Sequence, residues 1–216
     1  MKANAFAFMG GTFDPIHNGH LRTALELQHW LGVDQLCLIP SKTPVHRATP
    51  GRTSEQRLEM VKLAVANEPS LCADDREISS EQPSYSFLTL QGLRSELGDQ
   101  CPIFMIMGMD SYMTLPSWYE WDKFTDYCHI VVVKRPGYDL PTEGEIKEFT
   151  DEHKAQNLEQ AMALPAGKVL FHELTPLGIS ATQIRETIAQ GLSPRYLFPD
   201  GVWQYIQDNR LYGLTN

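Results

Sequence analysis

The chain has 216 residues, and its 18 basic and 27 acidic residues give a formal net charge of −9. This length suits one domain with a large core. A composition of 42% hydrophobic and 21% charged residues excludes the disordered, collagen-like and coiled-coil classes. Because the chain is acidic, we do not expect it to hold nucleic acid or an anionic membrane through a general basic surface. Any anionic substrate must then be held by a few locally placed donors.

Short apolar runs of strand length alternate with helical patterns along the chain. Runs that are apolar throughout are typical of strands buried on both faces of a parallel sheet. The alternation predicts an α/β fold, a doubly wound parallel sheet with helices on both faces. We expect one domain over residues 1–216, with a small helical part at about 180–216. The predicted strands are Phe6–Met9, Leu36–Ile39, Ile103–Met107, His129–Val133 and Val169–Phe171.

Four helical segments are indicated by apolar residues at helical spacing and by their end signals. Gly32, Gly98 and Gly191 each follow such a segment, as helix-ending glycines do. Thr53 and Gln56 have the spacing of a capping box, which predicts a helix start. The four segments are Leu21–Leu31, Thr53–Val65, Ser86–Leu97 and Gln183–Gln190.

Two further segments fit neither pattern. Ser41–Arg52 combines two prolines and a glycine with basic and histidine residues, which predicts a long loop after the second strand. Long loops in compact domains are often functional. Tyr138–Pro165 is polar and rich in charge, and it predicts a surface helix with loops and no chemistry.

The cysteines give no sign of a metal or redox motif. Cys37, Cys72, Cys101 and Cys128 are too far apart in sequence to form a CxxC pair. Each lies in or beside an apolar run, which predicts four buried, reduced thiols. The sequence shows neither a signal-peptide pattern nor the run of about 20 apolar residues that a spanning helix needs. We therefore expect a cytoplasmic protein.

The strongest sign of chemistry directly follows the first predicted strand and opens the first helix. Paired glycines allow backbone N–H groups to approach a phosphate, and a helix N-terminus adds positive potential. The segment fits neither the Walker A pattern nor GxGxxG. In place of the Walker lysine it has two histidines three positions apart, and a helical turn would place them on one face. A metal site is the alternative, but zinc needs three or four ligands and no third is obvious, so we predict none. The segment is Gly10-Gly11-Thr12-Phe13-Asp14-Pro15-Ile16-His17-Asn18-Gly19-His20.

A second candidate phosphate-binding segment lies around residue 180. Ser180 has the spacing to Gln183 that predicts a capped helix start. One interpretation is a well-capped helix with no further role, and the other is a second helix N-terminus directed at phosphates. In the second interpretation Arg185 reaches the same anion, because its planar guanidinium matches phosphate oxygens.

These two segments carry a family resemblance. His17-Asn18-Gly19-His20 resembles the HxGH signature of the nucleotidyltransferase superfamily with a Rossmann-like fold, and Ile179–Arg185 resembles its ISxTxxR motif. The wider set of motifs occurs in order over nearly the whole chain and is similar to that of the bacterial nicotinate-nucleotide adenylyltransferases, the NadD family. The additional motifs are Pro44-Val45-His46-Arg47, Pro83-Ser84-Tyr85-Ser86, Gly108-Met109-Asp110-Ser111, Trp118-Tyr119 and Lys134-Arg135-Pro136-Gly137.

The resemblance implies that the adenylyl group of ATP, with Mg²⁺, is transferred to nicotinate mononucleotide. The products are deamido-NAD and pyrophosphate, in NAD biosynthesis. The acceptor phosphate attacks the α-phosphorus in line, so the protein must position two anions and stabilise charge. Catalytic roles are implied for His17, His20 and Arg185, with His20 nearest the α-phosphate. The implied ATP contacts are Gly10, Gly11, Thr12, Phe13, Gly108, Asp110, Ile179 and Ser180.

On the acceptor side, the resemblance implies that Trp118 stacks on the pyridine ring and that backbone N–H groups near Ser86 and Tyr119 bind the carboxylate. Two positions depart from the family pattern. Val45 stands where a second proline is common, and Ser86 stands where threonine is usual; serine keeps the hydroxyl. The implied acceptor contacts are His46, Arg47, Tyr85, Ser86, Trp118, Tyr119 and Arg135.

Three alternatives remain at this stage. Another transferase of the superfamily would act on nicotinamide mononucleotide, phosphopantetheine or a cytidylyl acceptor. A non-catalytic nucleotide-binding module would more naturally have lost a histidine of HxGH, and an NAD-dependent oxidoreductase needs GxGxxG with an acidic residue about 20 positions on. We expect the enzyme to use ATP and nicotinate mononucleotide as a monomer or weak homo-oligomer.

Overall fold

The computed structural model describes residues 5–42, 52–134, 140, 142–174 and 177–214. In the described residues, six strands form one sheet in which every neighbouring pair is parallel. The strands are β1 (Phe6–Gly11), β2 (Leu36–Pro40), β3 (Leu71–Ala73), β4 (Ile103–Gly108), β5 (His129–Lys134) and β6 (Val169–Glu173). The helices are α1 (Asn18–Leu31), α2 (Ser54–Val65), α3 (Arg76–Ser79), α4 (Ser86–Leu97), α5 (Met109–Met113), α6 (Phe124–Tyr127), α7 (Glu145–His153), α8 (Leu158–Met162), α9 (Ala181–Ala189) and α10 (Asp200–Asp208).

The strand order is β3-β2-β1-β4-β5-β6, so β1 lies inside the sheet between β2 and β4. The chain builds the sheet outward from β1 in one direction and then in the other. This order is that of the doubly wound Rossmann-like fold, and the predicted fold class is confirmed. The order reverses between β1 and β4, and ligands of such sheets bind beside the carboxyl ends of the strands at that point.

Alternate side chains of the strands enter two separate cores, one on each face of the sheet. Ala7 and Met9 of β1 pack in the first core, where α1, α2, α9 and α10 lie, whereas Phe8 packs in the second. Helices α4, α5, α6 and α7 contribute to that second core. Burial on both faces explains why the strands appear in the sequence as continuous apolar runs.

The helix ends follow the local signals in the sequence. Gly32 ends α1 in the left-handed conformation (φ 66°), and its N–H donates to the Gln28 carbonyl at 3.0 Å. The Thr53 hydroxyl accepts from the backbone N–H of Gln56, and the Gln56 side chain accepts from the Thr53 N–H, which completes the predicted capping box. Helix α4 has the predicted bounds and is followed by Gly98.

The structure corrects the prediction for two cysteines. Cys37 and Cys72 are level with each other on the neighbouring strands β2 and β3, and they form a disulfide with a Cα–Cα distance of 4.6 Å. The prediction of four reduced thiols was therefore wrong for this pair, because strand pairing brings together residues that are distant in sequence. Among the described residues, Cys101 and Cys128 belong to no disulfide, and burial raises the pKa of the Cys128 thiol. Strand β3, which has only three residues, was not predicted.

The polar region near residue 150 is more than a surface helix. Helix α7 buries Ile146, Phe149 and Thr150, and the first two pack in the second core. A second short helix, α8, follows it. Most of the predicted loop Ser41–Arg52 lies outside the described residues. None of the helices in the described part of the chain has the length and apolar character needed to cross a membrane.

Candidate active site

Two glycines end β1 at the carboxyl edge of the sheet. Gly11 is level with Pro40 of β2, and its carbonyl accepts from the Ser41 N–H at 3.0 Å. A Cβ atom added to Gly11 would lie 2.8 Å from the ring of Phe13, so this position requires glycine. A Cβ atom added to Gly10 would meet none of the described atoms within 4 Å. The end of β1 therefore leaves space into which a ligand could fit.

The two histidines of the motif stack against each other. Their ring centroids are 3.6 Å apart, with 21° between the ring planes, and Phe13 contacts His20 edge-on at 5.1 Å. His17 is the extended N-cap residue of α1 and His20 is the third residue of that helix, so the two rings lie on one side of its first turn, as their spacing predicts. The His17 carbonyl accepts from the backbone N–H groups of His20 and Leu21, so the first turn of the helix includes both histidines. A Cβ atom on Gly19 would lie 3.0 Å from His17 Nδ1, so glycine makes room for the buried His17 ring.

The second motif meets the first in space. A Cβ atom on Gly19 would also lie 3.5 Å from the carbonyl oxygen of Ile179. Arg185 of α9 donates to the backbone carbonyl of Asp14 at 2.8 Å and to the Thr182 hydroxyl at 3.1 Å. Two segments more than 150 residues apart in sequence thus form one site.

Helix α9 begins as its sequence predicts. The Ser180 hydroxyl accepts from the Gln183 N–H at 3.1 Å and caps the helix. The capped first turn directs backbone N–H groups outward, and helix N-termini of this kind attract anions. Helix α1 also begins at this edge of the sheet, so two helix N-termini lie within the site.

The predicted ATP contacts at the end of β4 lie at the same edge of the sheet. β4 runs beside β1, with Ile106 level with Met9. Gly108 is the last residue of β4 and the N-cap of α5, and Asp110 is exposed in the first turn of that helix. These two residues therefore lie where the strand order reverses, at the end of the strand next to the one that the histidine motif follows.

Four of the predicted acceptor residues lie around the start of α4 and the segment after α5. The rings of Tyr85 and Tyr119 are 4.9 Å apart, and Phe87 contacts Tyr119 edge-on at 5.9 Å. Ser86 is the first residue of α4. Trp118 is half-buried and packs edge-on against Phe124. Tyr85, Phe87 and Tyr119 thus form an aromatic group at the first turn of α4.

Arg57 supports the site, and it was not predicted from the sequence. It is completely buried, and its guanidinium donates to the Thr12 carbonyl at 2.7 Å and to the carbonyls of Ser41 and Lys42 at 2.6 and 2.8 Å. Burial lowers the pKa of Arg57, and the Asp14 charge opposes that shift. A signal existed in the sequence, because Arg57 shares one face of α2 with the apolar Val61 and Val65.

Glu77 and Tyr212 were missed as well. The Glu77 carboxylate accepts from the Thr89 hydroxyl at 2.8 Å and from the Ser84 hydroxyl, and burial raises the pKa of Glu77. Tyr212, near the end of the chain, donates to Asp14 at 2.7 Å. No local pattern marks either residue.

Three predicted acceptor contacts, His46, Arg47 and Arg135, lie outside the described residues. Within the described residues, no three His, Cys, Asp or Glu side chains form a group that could hold a metal ion.

Comparison with known proteins places this geometry in a family. The sequence model of the cytidylyltransferase-like family matches residues 8–187. A Marinomonas sp. protein named "Probable nicotinate-nucleotide adenylyltransferase" is 44% identical over 98% of this chain and 96% of its own length. The chain belongs to the nicotinate-nucleotide adenylyltransferase family. A Hahella chejuensis protein of the same name is 46% identical over 96% of this chain and 95% of its own length.

Solved structures agree on the fold of the nicotinate-nucleotide adenylyltransferase family. Plasmodium falciparum nicotinic acid mononucleotide adenylyltransferase complexed with NaAD has a TM-score of 0.70 to this chain, at 17% identity over 98% of both chains. The same protein complexed with APC gives a TM-score of 0.67, at 16% identity over 98% of both chains. At this level of identity the likeness concerns the fold.

Proposed function

We propose that this member of the family transfers the adenylyl group of ATP to nicotinate mononucleotide, giving deamido-NAD and pyrophosphate in NAD biosynthesis. The observation that carries the proposal is the meeting of the HxGH and ISxTxxR segments. A Cβ atom on Gly19 would lie 3.5 Å from the Ile179 carbonyl oxygen, and Arg185 bonds to the carbonyl of Asp14. Relatives that match nearly the whole chain bear the name of this activity. We treat residues 1–216 as one nucleotidyltransferase domain, with a helical part at about 180–216.

In the proposed reaction, an oxygen of the acceptor phosphate forms a bond to the α-phosphorus of ATP. The bond from that phosphorus to the bridging oxygen of the β-phosphate breaks, and pyrophosphate leaves. Negative charge spreads over the phosphate oxygens, so catalysis depends on fixed donors. We assign His17 and His20 to the triphosphate, with His20 nearest the α-phosphate, and Ser180 and Arg185 to the β- and γ-phosphates. No covalent enzyme intermediate is required.

The donor nucleotide would lie along the ends of β1 and β4. Gly10, Gly11, Thr12 and Phe13 would line the phosphates, with Ile179 opposite them. Gly108 and Asp110 would contact the adenosine, since both lie at the point where the strand order reverses.

The acceptor would lie between the start of α4 and the segment after α5. Trp118 and Tyr85 provide ring faces for the pyridine. The backbone N–H groups near Ser86 and Tyr119 would bind the carboxylate. Those near Ser86 lie in the first turn of α4, where N–H groups have no partner within the helix. His46, Arg47 and Arg135 are proposed to contact the acceptor phosphate.

Mg²⁺ is the proposed cofactor. Mg²⁺ usually keeps several waters and takes its other ligands from one or two carboxylates and from substrate phosphates, and there it neutralises phosphate charge. The described residues form no cluster of metal ligands, so this proposal assigns the ion to the ATP phosphates. We further propose a cytoplasmic protein, a monomer or weak homo-oligomer, that binds neither nucleic acid nor membrane.

Nicotinamide mononucleotide is the alternative acceptor. Nicotinate mononucleotide has a carboxylate where nicotinamide mononucleotide has a neutral amide of similar size. The binding site can therefore distinguish the two only by polarity. Backbone N–H donors form stronger, charge-assisted hydrogen bonds to the carboxylate, whereas the amide would direct its own NH₂ donors at them. Sites that leave polar groups unpaired discriminate by up to about 10⁴-fold or more.

The test is pyrophosphate release from ATP with each mononucleotide, expressed as kcat/KM. We expect nicotinate mononucleotide to be preferred, and Trp118→Ala to weaken both acceptors while it leaves their ratio nearly unchanged. Equal values, or a preference for the amide, would contradict the nicotinate assignment and leave adenylyl transfer standing. Absence of pyrophosphate release with both acceptors would contradict adenylyl transfer to a pyridine mononucleotide.

A further inference from the structure

Asp14, in the turn before the histidine pair, is held at two atoms by residues from the far end of the chain. It is 7% exposed, and its carboxylate accepts a hydrogen bond of 2.7 Å from the Tyr212 hydroxyl. Its backbone carbonyl accepts the bond from Arg185. The turn between β1 and α1 is thus bonded both to the assigned phosphate-binding arginine and to a tyrosine with no assigned role.

Tyr212 is itself held in place. It lies in the 3-10 turn Leu211–Gly213 with φ 62°, a conformation that a bulky residue adopts only where its surroundings hold it. The guanidinium of Arg52 lies 5.1 Å from the centre of the ring, and the hydroxyl also contacts Met60 Sδ at 3.9 Å. The ring is thereby fixed against the α2 region, with its hydroxyl directed at Asp14.

The direction of the hydrogen bond is settled by charge. Burial and the neighbouring Asp14 carboxylate both raise the pKa of Tyr212. The hydroxyl therefore keeps its proton and donates a hydrogen bond to the Asp14 carboxylate. Hydrogen bonds to charged groups are stronger than those between neutral groups.

The turn needs such support because it is neither strand nor helix. Phe13, in the middle of the turn, has φ 49°, which is unfavourable for a side chain of this size. Arg57 holds the carbonyl of Thr12 on one side of Phe13, and Tyr212 holds the side chain of Asp14 on the other. His17 and His20 follow directly, so their placement depends on the course of this turn.

We propose that Tyr212 is a positioning residue: through its hydrogen bond to Asp14 it fixes the turn that presents His17, His20 and Arg185 to the triphosphate. The kinetic part of this proposal rests on the proposed function. The structural part, which concerns the rigidity of residues 11–20, does not.

The test compares Tyr212→Phe with Thr150→Val. The first variant keeps the ring and removes the hydroxyl. The second removes a buried hydroxyl from α7, where Thr150 bonds to the Tyr112 hydroxyl and to the Ile146 carbonyl, each at 2.6 Å. It is a matched control because the Tyr212 hydroxyl also has two buried contacts, Asp14 and Met60. Hydrogen exchange of peptides covering residues 11–20 and steady-state kinetics are measured for both, with thermal melting as a check of folding.

We expect Tyr212→Phe to speed exchange in residues 11–20 at least fivefold and to raise the KM for ATP about tenfold, with the acceptor KM unchanged. Thr150→Val should change neither the exchange of residues 11–20 nor the KM for ATP. A purely structural role would lower the amount of active enzyme and leave both KM values alone. Unchanged exchange in Tyr212→Phe, or an ATP KM equal to that of Thr150→Val, would overturn the proposal. If the wild-type chain releases no pyrophosphate with either mononucleotide, the proposed function fails and the exchange result alone decides the role of Tyr212.

Discussion

The two halves of the candidate site are built differently. The phosphate half, formed by residues 10–20 and the start of α9, is held by hydrogen bonds from Arg57, Tyr212 and Arg185 to atoms of the turn after β1. The aromatic half, around Tyr85 and Tyr119, is held mainly by contacts between rings, and Tyr119 is 49% exposed. Donors must be preorganised to stabilise phosphate charge, whereas stacking on a flat ring tolerates adjustment. Substitutions in the phosphate half should therefore reduce activity more than substitutions in the aromatic half.

The largest expected effect comes from His20→Ala in the phosphate half. Removal of one preorganised donor at the transition state typically lowers the rate by about 10²–10³. Steady-state kinetics measures this loss, and circular dichroism should show an intact fold. The matched control is His29→Ala, because His29 is an exposed histidine on the same helix. A loss below threefold in His20→Ala would contradict a catalytic role.

Arg185→Lys should come next, with a loss of activity on the order of tenfold or more that acts mainly on ATP. The guanidinium reaches the Asp14 carbonyl and the Thr182 hydroxyl through two nitrogens, and a lysine ammonium cannot reproduce that fork. Arg22→Lys is the control, since Arg22 is an exposed arginine of α1 paired with Glu26. Full activity with an unchanged ATP KM would reduce Arg185 to an ordinary helix residue.

Glu77→Gln tests the aromatic half and should have a smaller effect. Glu77 accepts from the hydroxyls of Thr89 and Ser84, and Ser84 lies two residues before Ser86. Glutamine keeps one oxygen acceptor and loses the charge, so we expect the acceptor KM to rise about fivefold, the equivalent of one hydrogen bond, with the ATP KM unchanged. The exposed Glu81→Gln is the control. A rise in the ATP KM instead would show that the two halves are not separately supported.

His129, at the start of β5, belongs to neither half and should affect stability alone. Its Nε2–H donates to the Leu164 carbonyl at 2.9 Å, and its Nδ1 accepts from the Lys168 N–H at 3.1 Å, so the ring is held neutral. Burial lowers its pKa, and the charges of Arg94 and Lys168 act in the same direction.

The unfolded chain therefore binds a proton at His129 more readily than the folded chain. The stability that His129 contributes is fully present above the unfolded pKa of about 6.5 and is lost as pH falls through the lowered folded pKa. The slope is at most about 1.4 kcal/mol per pH unit. Urea unfolding between pH 5 and 7.5 should show this slope in the wild type and a smaller one in His129→Gln. An identical slope in both would assign the acid sensitivity to other groups.

Local features of the sequence determined much of this molecule. Strands buried on both faces must be apolar throughout, so five of the six were visible as runs. The Thr53 capping box and the Ser180 cap join atoms only three residues apart, so the residues that form these bonds are visible together in the sequence. The histidine and arginine motifs were recognisable for the same reason: each is contiguous in the chain.

The tertiary structure alone decided what joins these segments. The Arg57–Thr12 bond spans 45 residues and the Tyr212–Asp14 bond spans 198. The Cys37–Cys72 disulfide depends on the register of β2 against β3, a strand too short to be visible as a pattern. Spacing in sequence carries no information about such pairs, because strand order and the packing of the chain end against α2 set their distances. Residues that supply the chemistry can thus be identified from local motifs, whereas the residues that hold them in place can be identified only from the tertiary structure.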